Sequence, residues 1–148
     1  MSDADVKALA REVLTDAFVM SLGTQDEAGV WVSDVIYIHD DDFTLYWVSF
    51  PHVRHSKAID EDGVVACTVT ASWTPGDERA LQIGGVAEQI QGEMPDLVSR
   101  LYAKCGTSLP ARSRNILEEG RVWYRLRPQV IELHYGTIFG YEKQRVAL

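Results

Sequence analysis

The chain has 148 residues, 46% of them hydrophobic, and its 22 acidic against 14 basic side chains give a formal charge of −8. This length fits one globular domain over residues 1–148 with a complete core. The acidity excludes a general nucleic-acid or anionic-membrane surface, because either partner would be repelled over most of the protein. The N-terminus lacks a basic region followed by an unbroken apolar run, and no stretch approaches the roughly 20 apolar residues of a membrane-spanning helix, so a soluble, cytoplasmic protein is expected.

Residues 3–15 place Val6, Leu9, Ala10, Val13 and Leu14 at helical spacing, with Ser2 or Asp3 available to cap. This predicts an amphipathic helix, reaching to about residue 16, that packs by one face. Three β-rich runs follow, AFVMSLGT, VWVSDVIYIH and TLYWVSF, separated by QDEAG and by a tight turn at Asp40, Asp41 and Asp42. The three aspartates lack the alternation and closing glutamate of a calcium loop, so no metal is expected there. Pro51 then introduces a short helix over 52–59, with the proline near its first turn.

An Asp62-Gly63 turn restarts the sheet in a strand containing Cys67. The loop WTPGDE leads to RALQIGGVAEQI, whose Gly84-Gly85 pair predicts a bulge or a close backbone approach. Residues 94–105 form a second amphipathic helix, with Pro95 at its start and Cys105 at its end. Two cysteines are too few for a disulfide framework and have no zinc-ligand spacing; both read as core thiols. A basic connector, LPARSRNILEEG, precedes RVWYRLRPQVIELHY, one strand or two broken near Pro128, and the chain closes with GTIFGYEKQRVAL. Six or so mainly antiparallel strands with helices at the ends predict a mostly β fold, a small barrel. The regular strand-helix alternation and glycine fingerprints of a dinucleotide or P-loop domain are missing.

The stretch SFPHVRHSKAI, residues 49–59, gathers His52, Arg54, His55 and Lys57 with no carboxylate among them. A helix start is already positive, so added cations cost stability unless an anion sits there. Arg54 has the planar fork for two phosphate oxygens, Ser49 a hydroxyl donor, and Lys57 a mobile charge. The alternative is that these side chains fan into water or pair with acidic residues around Asp60–Asp62.

The order VWVSDVIYI, acidic turn, TLYWVS, then a serine followed by an Arg-His pair resembles the pyridoxamine 5'-phosphate oxidase-like, FMN-binding split-barrel superfamily, with ALQIGGVAEQI and YRLRPQVIEL in further support. The resemblance runs from about Ala17 to Val146. It implies a split β-barrel that forms a homodimer, with FMN in a groove between subunits. Ser49 then matches the family's hydroxyl residue, Arg54 its phosphate-binding arginine, and His55 a position often filled by lysine. Val48, beside Ser49 near the end of the third strand, and Lys57, which compensates for the largely neutral His55, join the implied cofactor-binding set, and Val32, Ser33, Asp34 and Val35 lie along the flavin ring.

Pyridoxamine phosphate oxidases carry an Arg-Leu-His type element near the C-terminus that holds the substrate phosphate. Here the corresponding residues are Phe139, Gly140 and Tyr141, which removes the best support for vitamin B6 oxidation. Trp73, Phe139 and Tyr141 are candidates for a flavin or substrate face, or for ordinary core or interface residues. The expected function is an FMN-dependent oxidoreductase or flavin reductase-like protein acting on a small molecule, with no catalytic acid or base assigned. A non-catalytic flavin-binding or redox-sensing protein is the alternative. A deazaflavin in place of FMN, or heme with His52, His55 or His134 as axial ligand, are the cofactor alternatives.

Overall fold

The opening helix, α1 (Asp3–Asp16), starts at a capping box in which the Ser2 side chain accepts from the Asp5 N–H and the Asp5 carboxylate accepts from the Ser2 N–H. It buries Val6, Ala10, Val13 and Leu14, and each of the larger apolar side chains contributes about 1.5–3 kcal/mol on burial. The computed structural model describes residues 1–106 and 119–148; the connector expected at 109–120 lies almost wholly outside the described residues.

After α1 come β1 (Val19–Asp26), β2 (Gly29–Ile36), β3 (Ile38–His39), β4 (Leu45–Ser49), α2 (Arg54–Glu61), β5 (Val64–Thr74) and β6 (Asp77–Ile90). The chain continues through α3 (Pro95–Cys105), β7 (Val122–Tyr135), α4 (Gly136–Phe139) and β8 (Gln144–Arg145). The described strands form a single antiparallel sheet in the order β2-β1-β5-β6-β7-β4-β3, with β8 added to β7. The six longer strands match the expected number, and β3 and β8 are two-residue additions.

That order makes the sheet curl. Strands β2 and β3 stand at opposite ends of the path, yet only Tyr37 separates them in sequence. The run expected as one strand over 30–39 therefore changes partner midway, from β1 to β4. Tyr37 is fully buried at the crossing, and its hydroxyl donates to the Leu14 carbonyl at 2.6 Å, tying α1 to the junction.

Alternation along the strands fills the barrel. Val65, Cys67 and Val69 of β5 point inward with Leu81, Ile83 and Ala87 of β6 and Tyr124, Leu126, Ile131 and Leu133 of β7. Trp47 stacks on Tyr124 with centroids 5.7 Å apart. A smaller cluster joins α3 to the sheet through Ile38, Leu97, Leu101, Cys105 and Trp123. Both cysteines are free and buried, and burial pushes the Cys67 thiol up to about 12.

The expected bulge is present: Gly84 pairs with Val130 but Gly85 pairs with Pro128, leaving Gln129 as the extra residue on β7. A Cβ at Gly85 would sit 2.3 Å from the Arg127 carbonyl oxygen, so only glycine permits this approach. Strand β7 consequently passes Pro128 without breaking. One boundary differs from the expected helix over 52–59. The helix begins at Arg54, because Pro51 follows Phe50 in a turn closed by Val53 N–H to Phe50 C=O at 3.4 Å, and Val53 is extended as N-cap.

Candidate functional site

Strand β4 delivers Val48 and Ser49 to the turn that opens α2. Val48 packs against the smaller core cluster, while Ser49 Oγ lies 3.0 Å from His55 Nε2. Burial holds the His55 imidazole below its ordinary pKa, which keeps it neutral. The N-cap Val53 has no side-chain oxygen to occupy the first-turn N–H groups of α2, and no acidic residue stands in that turn. The helix start is therefore electropositive and uncapped by its own sequence.

The partner of Arg54 comes from far along the chain. Its Nε donates to Asp26 Oδ2 at 2.8 Å and its Nη2 to Asp26 Oδ1 at 3.0 Å, a two-pronged pair. The Trp31 ring lies against the guanidinium with Cζ 4.4 Å from the ring centroid. This pairing lowers the pKa of Asp26 and raises that of Arg54, so both stay charged. Of the guanidinium nitrogens, Nη1 alone is left outside the Asp26 pair.

Around Arg54 is an open cleft of about 410 Å³, lined by Asp26, Glu27, His52, Lys57, Ala58 and Glu61. The sequence run 49–59 has no carboxylate, but the fold brings three to it from the β1–β2 hairpin and the end of α2. The alternative that these cations pair with Asp60–Asp62 is corrected for Arg54, whose carboxylate is Asp26. Asp40, in the acidic turn, is held by Tyr46 and Arg100.

Among the described residues, strand β2 pairs on one side only, with β1, and so presents alternate unpaired backbone groups along its other edge. Its predicted site residues do not share one surface. Val35 packs on the main core, Val32 and Asp34 face the outer side of the sheet, and Ser33 points with Val35 by strand alternation. On the outer side, strand pairing lines up Val32, Gly23, Ala66, Gly84 and Val130 across five strands. The next row is polar: Asp34, Ser21, Thr68, Gln82 and Glu132. Glycines at 23 and 84 leave a shallow trough of about 470 Å³ over these rows.

The candidate ring-facing aromatics are scattered. Trp73 is 62% exposed at the end of β5 and meets His134 edge-on, with centroids 5.3 Å apart. Together they line a hollow of about 400 Å³ that shares Thr68 and Gln82 with the trough. His134 Nε2 is buried there with no hydrogen-bond partner among the described residues. Phe139 packs against the main core and Tyr141 is 90% exposed; neither lines the hollow or the cleft. Sequence reading missed Asp26, Trp31 and the small-residue row. Trp31 carried the one available signal, an aromatic in the strand already assigned to the site.

No protein-family model matches the sequence, and no curated protein matches it. Solved structures do. A heme binding protein from Mycobacterium smegmatis superposes with a TM-score of 0.71 at 19% identity, covering 98% of this chain and 57% of that protein's. A candidate pyridoxamine 5'-phosphate oxidase from Listeria innocua matches with a TM-score of 0.69 at 16% identity, over 86% of this chain and 97% of the other. A FAD-binding protein from Mesorhizobium loti gives 0.67 at 17% identity, over 88% and 92%. The curled antiparallel sheet, its helices and these superpositions agree: the chain has the split-barrel fold of the pyridoxamine 5'-phosphate oxidase-like proteins.

Proposed function

We propose that this chain binds FMN in a homodimer and serves as an FMN-dependent oxidoreductase or flavin reductase-like enzyme for a small molecule. The observation that carries the reading is the start of α2, an uncapped helix N-terminus where Ser49 meets His55 and Arg54 opens the neighbouring cleft, beside the free edge of β2. Those residues suit a phosphate: first-turn N–H groups, a hydroxyl, and Arg54 Nη1, with Lys57 adding a mobile charge from the cleft wall. The open edge of β2, at Val32–Val35, suits a flat heteroaromatic ring with hydrogen-bonding groups along one side.

Bound FMN supplies the electron and hydride chemistry; the chain's work is to bind, orient and exclude water. The homodimer part of the proposal rests on the outer face. Val30, Val32, Val64 and Val86 are exposed there around the small-residue row, a contiguous apolar surface of the kind that pairs with another protein surface.

Titration of the apo protein with FMN, riboflavin and a deazaflavin, followed by absorption and calorimetry, tests the reading. FMN is expected to bind more tightly than riboflavin, because only FMN carries the phosphate. Equal binding of the two removes the α2 site. Reduction of bound FMN by NADH or NADPH separates an enzyme from a passive flavin carrier.

A second reading, heme binding, is favoured by one observation, the unpartnered Nε2 of His134 in the Trp73 hollow. The solved heme binding protein of the same fold is consistent with it. A Soret band lost in His134→Ala supports this reading, and a band unchanged in that variant removes His134 as ligand.

A further inference from the structure

Arg54 enters the cleft already half used. Asp26 occupies its Nε–Nη2 edge, one of the two edges through which a guanidinium can grip two oxygens of one anion, and Trp31 covers one face. The two contacts differ in what they do. Stacking on Trp31 fixes the plane of the guanidinium without using a donor, whereas the Asp26 carboxylate uses two donors and brings a negative charge to an anion site. Glu27 and Glu61 on the same walls leave three carboxylates against the permanent cations Arg54 and Lys57.

Resting on the flavin reading above, we infer that Asp26 is a positioning residue that weakens phosphate binding at α2, by holding the Nε–Nη2 edge of Arg54, leaving only the Nη1–Nη2 end to the ligand, and setting a negative charge beside it. The cleft then retains inorganic phosphate poorly. Orientation does not depend on Asp26, since Trp31 remains. Removing the charge thus frees Nε and relieves a like-charge repulsion at little loss of preorganisation.

Asp26→Asn tests this with little disturbance, because the side-chain oxygen that accepts from the Ala28 N–H in the hairpin turn is retained. FMN is expected to bind at least threefold more tightly to the variant, with riboflavin affinity unchanged. Inorganic phosphate, followed by tryptophan fluorescence, should show the same gain. In the double variant Asp26→Asn/Arg54→Ala the gain should vanish, since Asp26 acts through Arg54.

Weaker binding of both flavins in Asp26→Asn marks a structural role and overturns the inference. So does a gain that survives loss of Arg54, or phosphate and FMN affinities that do not change. The phosphate arm separates this inference from the flavin reading. A phosphate gain in a protein that ignores FMN keeps the role of Asp26 and removes the flavin; FMN binding that is indifferent to Asp26 does the reverse.

Discussion

The cleft at α2 and the trough on the outer sheet face lie on opposite sides of β2 and are built from opposite materials. The cleft concentrates charge, and its principal cation is already paired with Asp26 and stacked on Trp31. The trough has a central row of Val32, Gly23, Ala66, Gly84 and Val130 that carries no charge at all. Charge is compensated locally as the chain folds, so a basic run in the sequence overstates the positive potential of the finished site. Apolar surface has no such partner to recruit within the chain, and stays open until another surface covers it.

The sharpest way to break this contrast is to charge the trough. Ala66→Glu places a carboxylate in the middle of the row, and if the proposed homodimer forms through this face, burial of the unpaired charge is expected to weaken it by at least about a hundredfold. Sedimentation across a concentration series reads this directly. A dimer unmoved by Ala66→Glu places the interface elsewhere. On the cleft side, Arg54→Ala is expected to weaken FMN by about tenfold to a hundredfold, the range for a lost charge-assisted bond, and to leave riboflavin unaffected. Calorimetry with both ligands measures the split.

A smaller effect concerns pH. Burial lowers the pKa of His55 and of His39 below the unfolded value of about 6.5. Between their folded values and about 6.5 the unfolded chain binds more protons than the folded one. Stability is therefore expected to fall as pH drops below about 6.5. Denaturant midpoints measured through this window in wild type and His55→Gln check the sign. The variant should show a shallower decline, and a steeper one contradicts the assignment.

Local chemistry made much of the fold legible. Helical spacing and Ser2 placed α1, and alternation placed the long strands. The Gly84-Gly85 pair marked the bulge, because a backbone approach that excludes Cβ leaves its trace in residue type. What failed to show was long-range. The switch of strand partner at Tyr37 comes from closure of the sheet, and both halves of that run have strand character. Pro51 fixes its own φ but does not say whether a turn or a helix follows, so α2 starts at Arg54 and not at His52.

At the site, Ser49, Arg54 and His55 were legible as candidates because they lie in one short basic run, but the contact between Ser49 and His55 was not. Asp26, 28 residues before Arg54, was not, because opposite charges at that separation meet only through the β1–β2 hairpin. The small-residue row was equally hidden, since each member is ordinary in its own strand and only register aligns them. Phe139 and Tyr141 show the limit of composition as a guide: both are aromatic and close in sequence, yet one is drawn into the core and the other left in solvent.

The measurement that tests flavin binding most directly is a titration of the metal-free apo protein with FMN, read by visible absorption and repeated with riboflavin. The α2 site predicts a bound-flavin spectrum that saturates in proportion to the chain, with FMN held more tightly than riboflavin. A spectrum that remains that of free FMN throughout the titration contradicts it, and leaves the cleft as an ion-paired clasp between α2 and the β1–β2 hairpin.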